Sequence, residues 1–260
     1  MRQFSDQHLA ALTVMVAGIA AAIWAGRRGD QRTRTAVAYV LASLILLGWV
    51  GEYVDDAVLG QWSTTYTLPL QLTDLVSAVA VLALLTRRRL LVELTYFWAL
   101  TASLQAMLTP DLAYGFPNAL YFTYFLYHVG AIVAAAFLVL GCRQYPRPLA
   151  VWRAFGATLA WAAIAGLADV ITGGNYLYLR SKPVHNSLLS VMGPWPWYIA
   201  GGIALGLAML LLVAVLTELL RGQPLRRILP APPRLSHQEP TGLYSHAQDP
   251  WLTPRRDPRA

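Results

Sequence analysis

Runs of about 20 apolar residues recur along this chain, each long enough to cross the hydrocarbon core of a bilayer as a helix. The apolar windows place seven of them, at His8–Ala25, Ala36–Tyr53, Tyr66–Leu85, Leu90–Leu108, Ala119–Gly141, Ala150–Ile171 and Trp197–Leu220. A soluble domain carries roughly 25% charged residues; this chain carries 13%, with 57% hydrophobic. The expected fold is therefore all-α, a polytopic membrane domain over residues 1–220 with seven transmembrane helices. From Arg221 onward the composition changes, and half of the 16 prolines fall in the last 40 residues among arginines. Such a segment buries too little apolar surface to offset its ordering entropy, so 221–260 is expected to be a disordered tail.

The loops alternate in character. Arginines cluster at Arg27 to Arg34, Arg87 to Arg89, Arg143 to Arg153 and Arg221 to Arg227. The other connections, Asp55 to Thr65, Pro110 to Asn118 and Thr172 to Pro196, carry only Arg180 and Lys182 between them. Because cytoplasmic loops hold the excess of Lys and Arg, the amino terminus is expected outside and the carboxyl terminus in the cytoplasm. A bacterial inner or plasma membrane is the expected location. The net charge of +7 sits in these clusters beside the spans, so nucleic acid is not an expected partner; membrane lipids or acyl lipids are. Arginines follow the first apolar run where a signal peptide would place them before it, so no cleavable leader is expected. Cys142 is the sole cysteine, which excludes an internal disulfide and a cysteine-rich metal site. The histidines are scattered, so neither a metal nor another cofactor is expected.

Polar residues inside spans narrow the search for function, because such groups usually face a protein interior or a wet cavity. The stretch Leu68-Pro69-Leu70-Gln71-Leu72-Thr73-Asp74-Leu75 holds three. If the third span starts at Tyr66, Thr73 lies roughly 10 Å deep, and His128 in the fifth span roughly 13 Å deep. Gln71, Thr73, Asp74 and Ser77 share one flank of their helix, and Tyr121, Tyr124 and His128 line one face of theirs. Glu52, Gln105 and Asp169 stand near the same outer level, whereas Glu93 lies near the inner one. Each has a plainer reading: Thr73 bonding back to the carbonyl of Pro69, His128 as an interhelical hydrogen-bond partner, Glu52 in a solvated helix end, and Glu93 as partner of the arginines just before it. The loop from Gly173 to Pro183, with Asn175, Tyr176, Arg180 and Lys182, runs through His185 and Ser187 into Met192-Gly193-Pro194-Trp195-Pro196-Trp197-Tyr198. It reads either as an interfacial aromatic belt or as a re-entrant lid whose Arg180 and Lys182 meet lipid phosphate.

Together, Gly-Glu-Tyr (51–53), the 68–75 stretch, the mid-span histidine, Asn-Tyr-x-Tyr-Leu-x-x-Lys-Pro (175–183) and the 192–198 motif resemble the bacterial YwaF-type integral membrane family, related to the eukaryotic transmembrane protein 164 group. The likeness spans about Glu52 to Leu220. The eukaryotic relative is an acyltransferase that moves a fatty acyl chain onto a lyso ether-phospholipid with a cysteine and a histidine. The resemblance implies that Thr73 stands at the cysteine's place and His128 at the histidine's. A hydroxyl needs a neighbouring base to attack an ester. Two readings follow: a membrane enzyme for acyl transfer or ester hydrolysis on lipids through a Thr–His pair, or a transporter or lipid-binding protein in which Glu52, Asp74, His128 and Asp169 relay protons or solute.

Overall fold

A computed structural model describes residues 3–110, 112, 115–183 and 188–228. Among the described residues there are eight α-helices: α1 (Asp6–Arg28), α2 (Gln31–Val58), α3 (Leu72–Thr86), α4 (Arg89–Trp98), α5 (Leu104–Leu108), α6 (Ala119–Ala136), α7 (Ala150–Thr172) and α8 (Trp197–Leu220). A π turn at Ala99–Ser103 joins α4 to α5 as one span, and another at Phe137–Gly141 extends α6. Six of the resulting helical segments are long and apolar enough to cross a membrane, and no strand occurs among the described residues. This is an integral, multi-pass membrane protein.

The third segment departs from the sequence expectation. It was expected to begin at Tyr66, but α3 starts at Leu72 and has 15 residues, roughly 22 Å at 1.5 Å per residue. Pro69 explains the late start, since it lacks an N–H and drives the residue before it out of the helical region. Gln71 is still extended, at φ −68° and ψ 152°, and the helix begins only after it. Asp74, three positions later, accepts from Gln71 N at 2.9 Å and closes the first turn. At the other end Arg87 adopts φ 55°, and its guanidinium donates to the Leu84 and Arg34 carbonyls, which satisfies groups a helix end leaves open.

Non-helical backbone at membrane depth survives only where protein supplies its hydrogen bonds. The coil before α3 gets them from α7 and the loop after it. Tyr176 Oη takes the Leu68 N–H at 2.9 Å and donates to the Thr64 carbonyl at 2.8 Å, and Trp161 Nε1 donates to the Leu70 carbonyl at 3.1 Å. Tyr176 is fully buried as a result. The two sequence motifs at 68–75 and 175–183 are thus two halves of one packed unit.

Helix α6 runs through the centre, buried along most of its length, while α7 and α8 lie at the rim. Gly48 lets α2 press against it: a Cβ there would sit 2.8 Å from the Tyr127 amide nitrogen. At the arginine-rich end, Glu93 accepts from Arg147 Nε at 2.8 Å and Arg153 Nε at 3.0 Å. It was expected to pair with Arg87 to Arg89; the tertiary fold instead presents the α6–α7 connection to it. The Glu93 carboxylate holds the Arg147 guanidinium above its ordinary pKa. The first residues of the expected tail are packed: Leu225–Arg227 form a 3-10 turn, and Trp152 Nε1 donates to the Ile228 carbonyl at 2.8 Å. The rest of that tail, 229–260, lies outside the described residues, as do His185 and Ser187.

Candidate functional site

The polar groups collect at the arginine-poor end, around the start of α3. Asp74 is buried there, 6% exposed, and is the hub. Its Oδ1 accepts from Trp49 Nε1 at 2.9 Å and Tyr53 Oη at 2.7 Å, both on α2, while Oδ2 holds Gln71 N. Glu52, one position from Tyr53, is in electrostatic contact with Asp74 and with Tyr127 of α6. Glu52 therefore belongs to this cluster and not to a freely solvated helix end. Gln71 Oε1 accepts from Leu177 N at 3.3 Å, which ties the cluster to the loop after α7.

Thr73 occupies the second position of α3 and is partly buried. Seven other threonines (13, 86, 101, 109, 158, 172 and 217) donate their hydroxyls to the carbonyl four residues back. Thr73 does not bond back to Pro69, and its hydroxyl has no hydrogen-bond partner among the described residues. The backbone N–H groups of Leu72 and Thr73 are likewise unclaimed there. They point out of the first turn, where a helix carries partial positive charge.

His128 is 2% exposed, and its Nδ1 has no partner. Its ring lies between Tyr124 and Tyr127, with centroids 4.4 and 4.2 Å away. Tyr124 Oη donates to the Ala106 carbonyl of α5 at 2.8 Å. At 100° per residue His128 sits about 40° from Tyr124 around α6 and about 100° from Tyr127. No hydrogen bond joins Thr73 to His128 among the described residues. Gln105, on α5, is exposed, and its Nε2 donates to Thr109 Oγ1 at 3.1 Å.

The loop after α7 forms a strap. Asp169 Oδ1 accepts from Tyr176 N at 2.7 Å, and burial pushes the Tyr176 phenol above its usual pKa. Asn175 clamps the turn, its Oδ1 taking the amides of Arg180 and Ser181 and its Nδ2 donating to Ser181. Arg180 is exposed and Lys182 half-buried, and each spends one donor on the strap itself. Arg180 Nη1 donates to the Asp169 and Gly174 carbonyls at 3.3 Å, and Lys182 Nζ to the Ser190 carbonyl at 3.2 Å, above the Tyr198 ring. Tyr198 Oη in turn donates to the Tyr178 carbonyl at 2.7 Å, and Trp195 Nε1 to Leu179. These partners all lie within the α7–α8 connection and its flanking helix ends, 5 to 20 residues apart, in an irregular stretch whose pairing no helical or strand periodicity encodes.

Beneath the strap lies an apolar cavity of ≈330 Å³. Leu72 and Gln105 stand in its wall with Leu177 to Leu179, Trp98, Phe155 and α8. Thr73 is next in sequence to that wall but not part of it, and His128 is not part of it either. A second apolar cavity of ≈700 Å³ lies among α1, α2 and α6, on the flank of α6 that carries Phe125 and Val129. No group of three or more His, Cys, Asp or Glu side chains able to hold a metal occurs among the described residues.

No curated protein matches the chain, and no solved structure does. The model of the TMEM164 family matches residues 3–215, which covers every helix of the site from α1 to most of α8. The chain belongs to the TMEM164 family.

Proposed function

We propose that this protein transfers or hydrolyses acyl groups of membrane lipids, with Thr73 as the nucleophile and His128 as the base. The observation that carries the reading is the free start of α3. Among the described residues a hydroxyl and two amide N–H groups go unclaimed beside an apolar cavity, where seven other threonines bond to the carbonyl four residues back. The motif resemblance, which puts Thr73 and His128 at the positions of the nucleophile and base, gives the same pair.

In the proposed reaction Thr73 Oγ1 attacks the ester carbonyl as His128 takes its proton, directly or through one water. The amides of Leu72 and Thr73 receive the oxyanion. Breaking the C–O bond releases the lysolipid, whose oxygen takes the proton back from His128. A second hydroxyl, from an acceptor lipid or from water, then attacks the acyl-threonine in the same way. Asp74 has a positioning role: it fixes the first turn of α3 against Trp49 and Tyr53. Glu52 and Tyr127 border that hub, and Asn175, Tyr176, Arg180, Lys182 and Asp169 hold the strap over the cavity. If arginine-rich loops face the cytoplasm, the site opens to the outer leaflet.

The test is acyl redistribution. Purified protein in detergent is incubated with a phospholipid and lysolipid panel, and products are followed by mass spectrometry. Thr73→Ala and His128→Ala should each lower turnover by about 100-fold or more, and Thr73→Cys should keep it. Unchanged turnover in both alanine variants refutes the assignment.

A further inference from the structure

In the wall of the ≈330 Å³ cavity most polar side chains already have a hydrogen-bond partner, chiefly a backbone carbonyl. Thr101 Oγ1 donates to the Phe97 carbonyl at 2.8 Å. Thr158 Oγ1 takes the Trp98 indole N–H and donates to the Ala154 carbonyl. Gln105 Nε2 is held by Thr109, and Tyr198 Oη by the Tyr178 carbonyl. Deeper than Gln105 a guest therefore finds almost only hydrocarbon to contact, and a polar head is expected to stay at the end near Leu72. Along α8 the wall runs from Tyr198 to Leu210, twelve residues or roughly 18 Å, which suits an extended chain better than a compact ligand.

Two glycines of α8, Gly202 and Gly206, stand in that wall. Glycine inside a helix costs about 1 kcal/mol relative to alanine, so each needs a reason. Neither has a positive φ. Gly26 and Gly48 are where they are because another backbone presses on them. At Gly206 a Cβ would meet nothing within 4 Å, and at Gly202 only Leu189 Cδ2 at 3.4 Å. What Gly206 supplies is neither backbone freedom nor close helix contact. It supplies room, about eight residues or roughly 12 Å inward of Tyr198, and Ala162 of α7 stands in the same wall.

We propose that Gly206 is the specificity-determining residue for acyl-chain length, keeping the inner half of this cavity open to long chains. This rests on the acyl-lipid reading above, and it adds which residue selects the chain and where along the chain selection acts. Length is sensed by filled volume, because the wall offers no hydrogen bond by which to choose.

The experiment compares wild type, Gly206→Phe, Gly206→Ala and Ala162→Leu, each purified in detergent and checked for a single monodisperse species. Two readouts are taken with phospholipids carrying octanoyl, lauroyl, palmitoyl or arachidonoyl chains: retention by native mass spectrometry, and acyl transfer. The expected result is a fall in the long-to-short ratio of about tenfold or more in Gly206→Phe, with smaller falls in the same direction in Gly206→Ala and Ala162→Leu. If Gly206→Phe does not fold, the two milder variants decide. An unchanged ratio in the folded variants overturns the proposal. The two readings fail separately: Thr73→Ala with normal turnover removes the nucleophile but leaves the retention shift, and a flat length profile with a dead Thr73→Ala removes the length role alone.

Discussion

Removing the carboxylate of Asp74 should cost far more than neutralising it, and the difference can be worked from three hydrogen bonds. Asp74→Ala leaves the Trp49 indole N–H, the Tyr53 hydroxyl and the Gln71 amide without their acceptor. A buried donor left unpaired costs about 1–3 kcal/mol, and groups in one network do not add fully, so about 4 kcal/mol is expected. Asp74→Asn keeps one acceptor oxygen, which can still serve Trp49 and Tyr53. Its new NH2 faces the Gln71 N–H, so the loss is that of the helix cap, about 1–2 kcal/mol. For a chain of this size each kcal/mol moves the midpoint by about 2–4 °C, giving roughly 8–16 °C for alanine and roughly 2–8 °C for asparagine. Thermal unfolding in detergent, followed by tryptophan fluorescence, measures both. Tyr53→Phe in each background isolates one bond of the hub, with a coupling of about 1 kcal/mol expected to vanish once Asp74 is alanine. Asparagine as costly as alanine, or Tyr53→Phe fully additive with Asp74→Ala, would refute the hub.

Two further predictions concern the arginine-rich end. Glu93→Ala takes the acceptor from Arg147 and Arg153, which are 47% and 35% exposed and can turn to water, so it should cost about 1–3 kcal/mol and expose the 143–149 connection to protease; a melt within about 2 °C of wild type would refute it. Asp30 caps α2, accepting the Thr33 amide at 2.8 Å, and that bond holds its carboxyl below the usual 3.8. Its contribution is therefore fully present above the unfolded pKa and is lost as pH falls through the lower folded one. Hydrogen exchange at the first turn of α2 should be faster in Asp30→Ala than in wild type at neutral pH and should converge with it in strong acid. A gap that persists there would refute the sign.

Much of the architecture was legible because a bilayer imposes one simple demand: long apolar runs must close their backbone bonds internally. That demand located six spans to within a few residues, and the cluster of motifs pointed to the family. The site was legible only in part. Gln71, Asp74 and Glu52 were singled out as polar groups in apolar surroundings, and the structure gathers them at one place. Arg180 and Lys182 were singled out as cations near the headgroups, and only the fold shows that each also bonds carbonyls of its own strap. Trp49 gave no signal and Tyr53 only as the last residue of the Gly-Glu-Tyr motif, because aromatic residues near a span end are ordinary and only the fold turns both toward Asp74.

What the sequence determined by itself was the membrane class, the order of the spans and the family, since hydropathy and motif are properties of the chain read locally. Tertiary structure alone decided that Tyr176 completes the coil before α3, that Glu93 belongs to Arg147 and Arg153, and that Gly206 opens a cavity. Each of these joins residues between 50 and 110 positions apart or depends on empty space beside a helix. Local pattern carries no record of either, because partners are chosen when helices pack and volume exists only once they have.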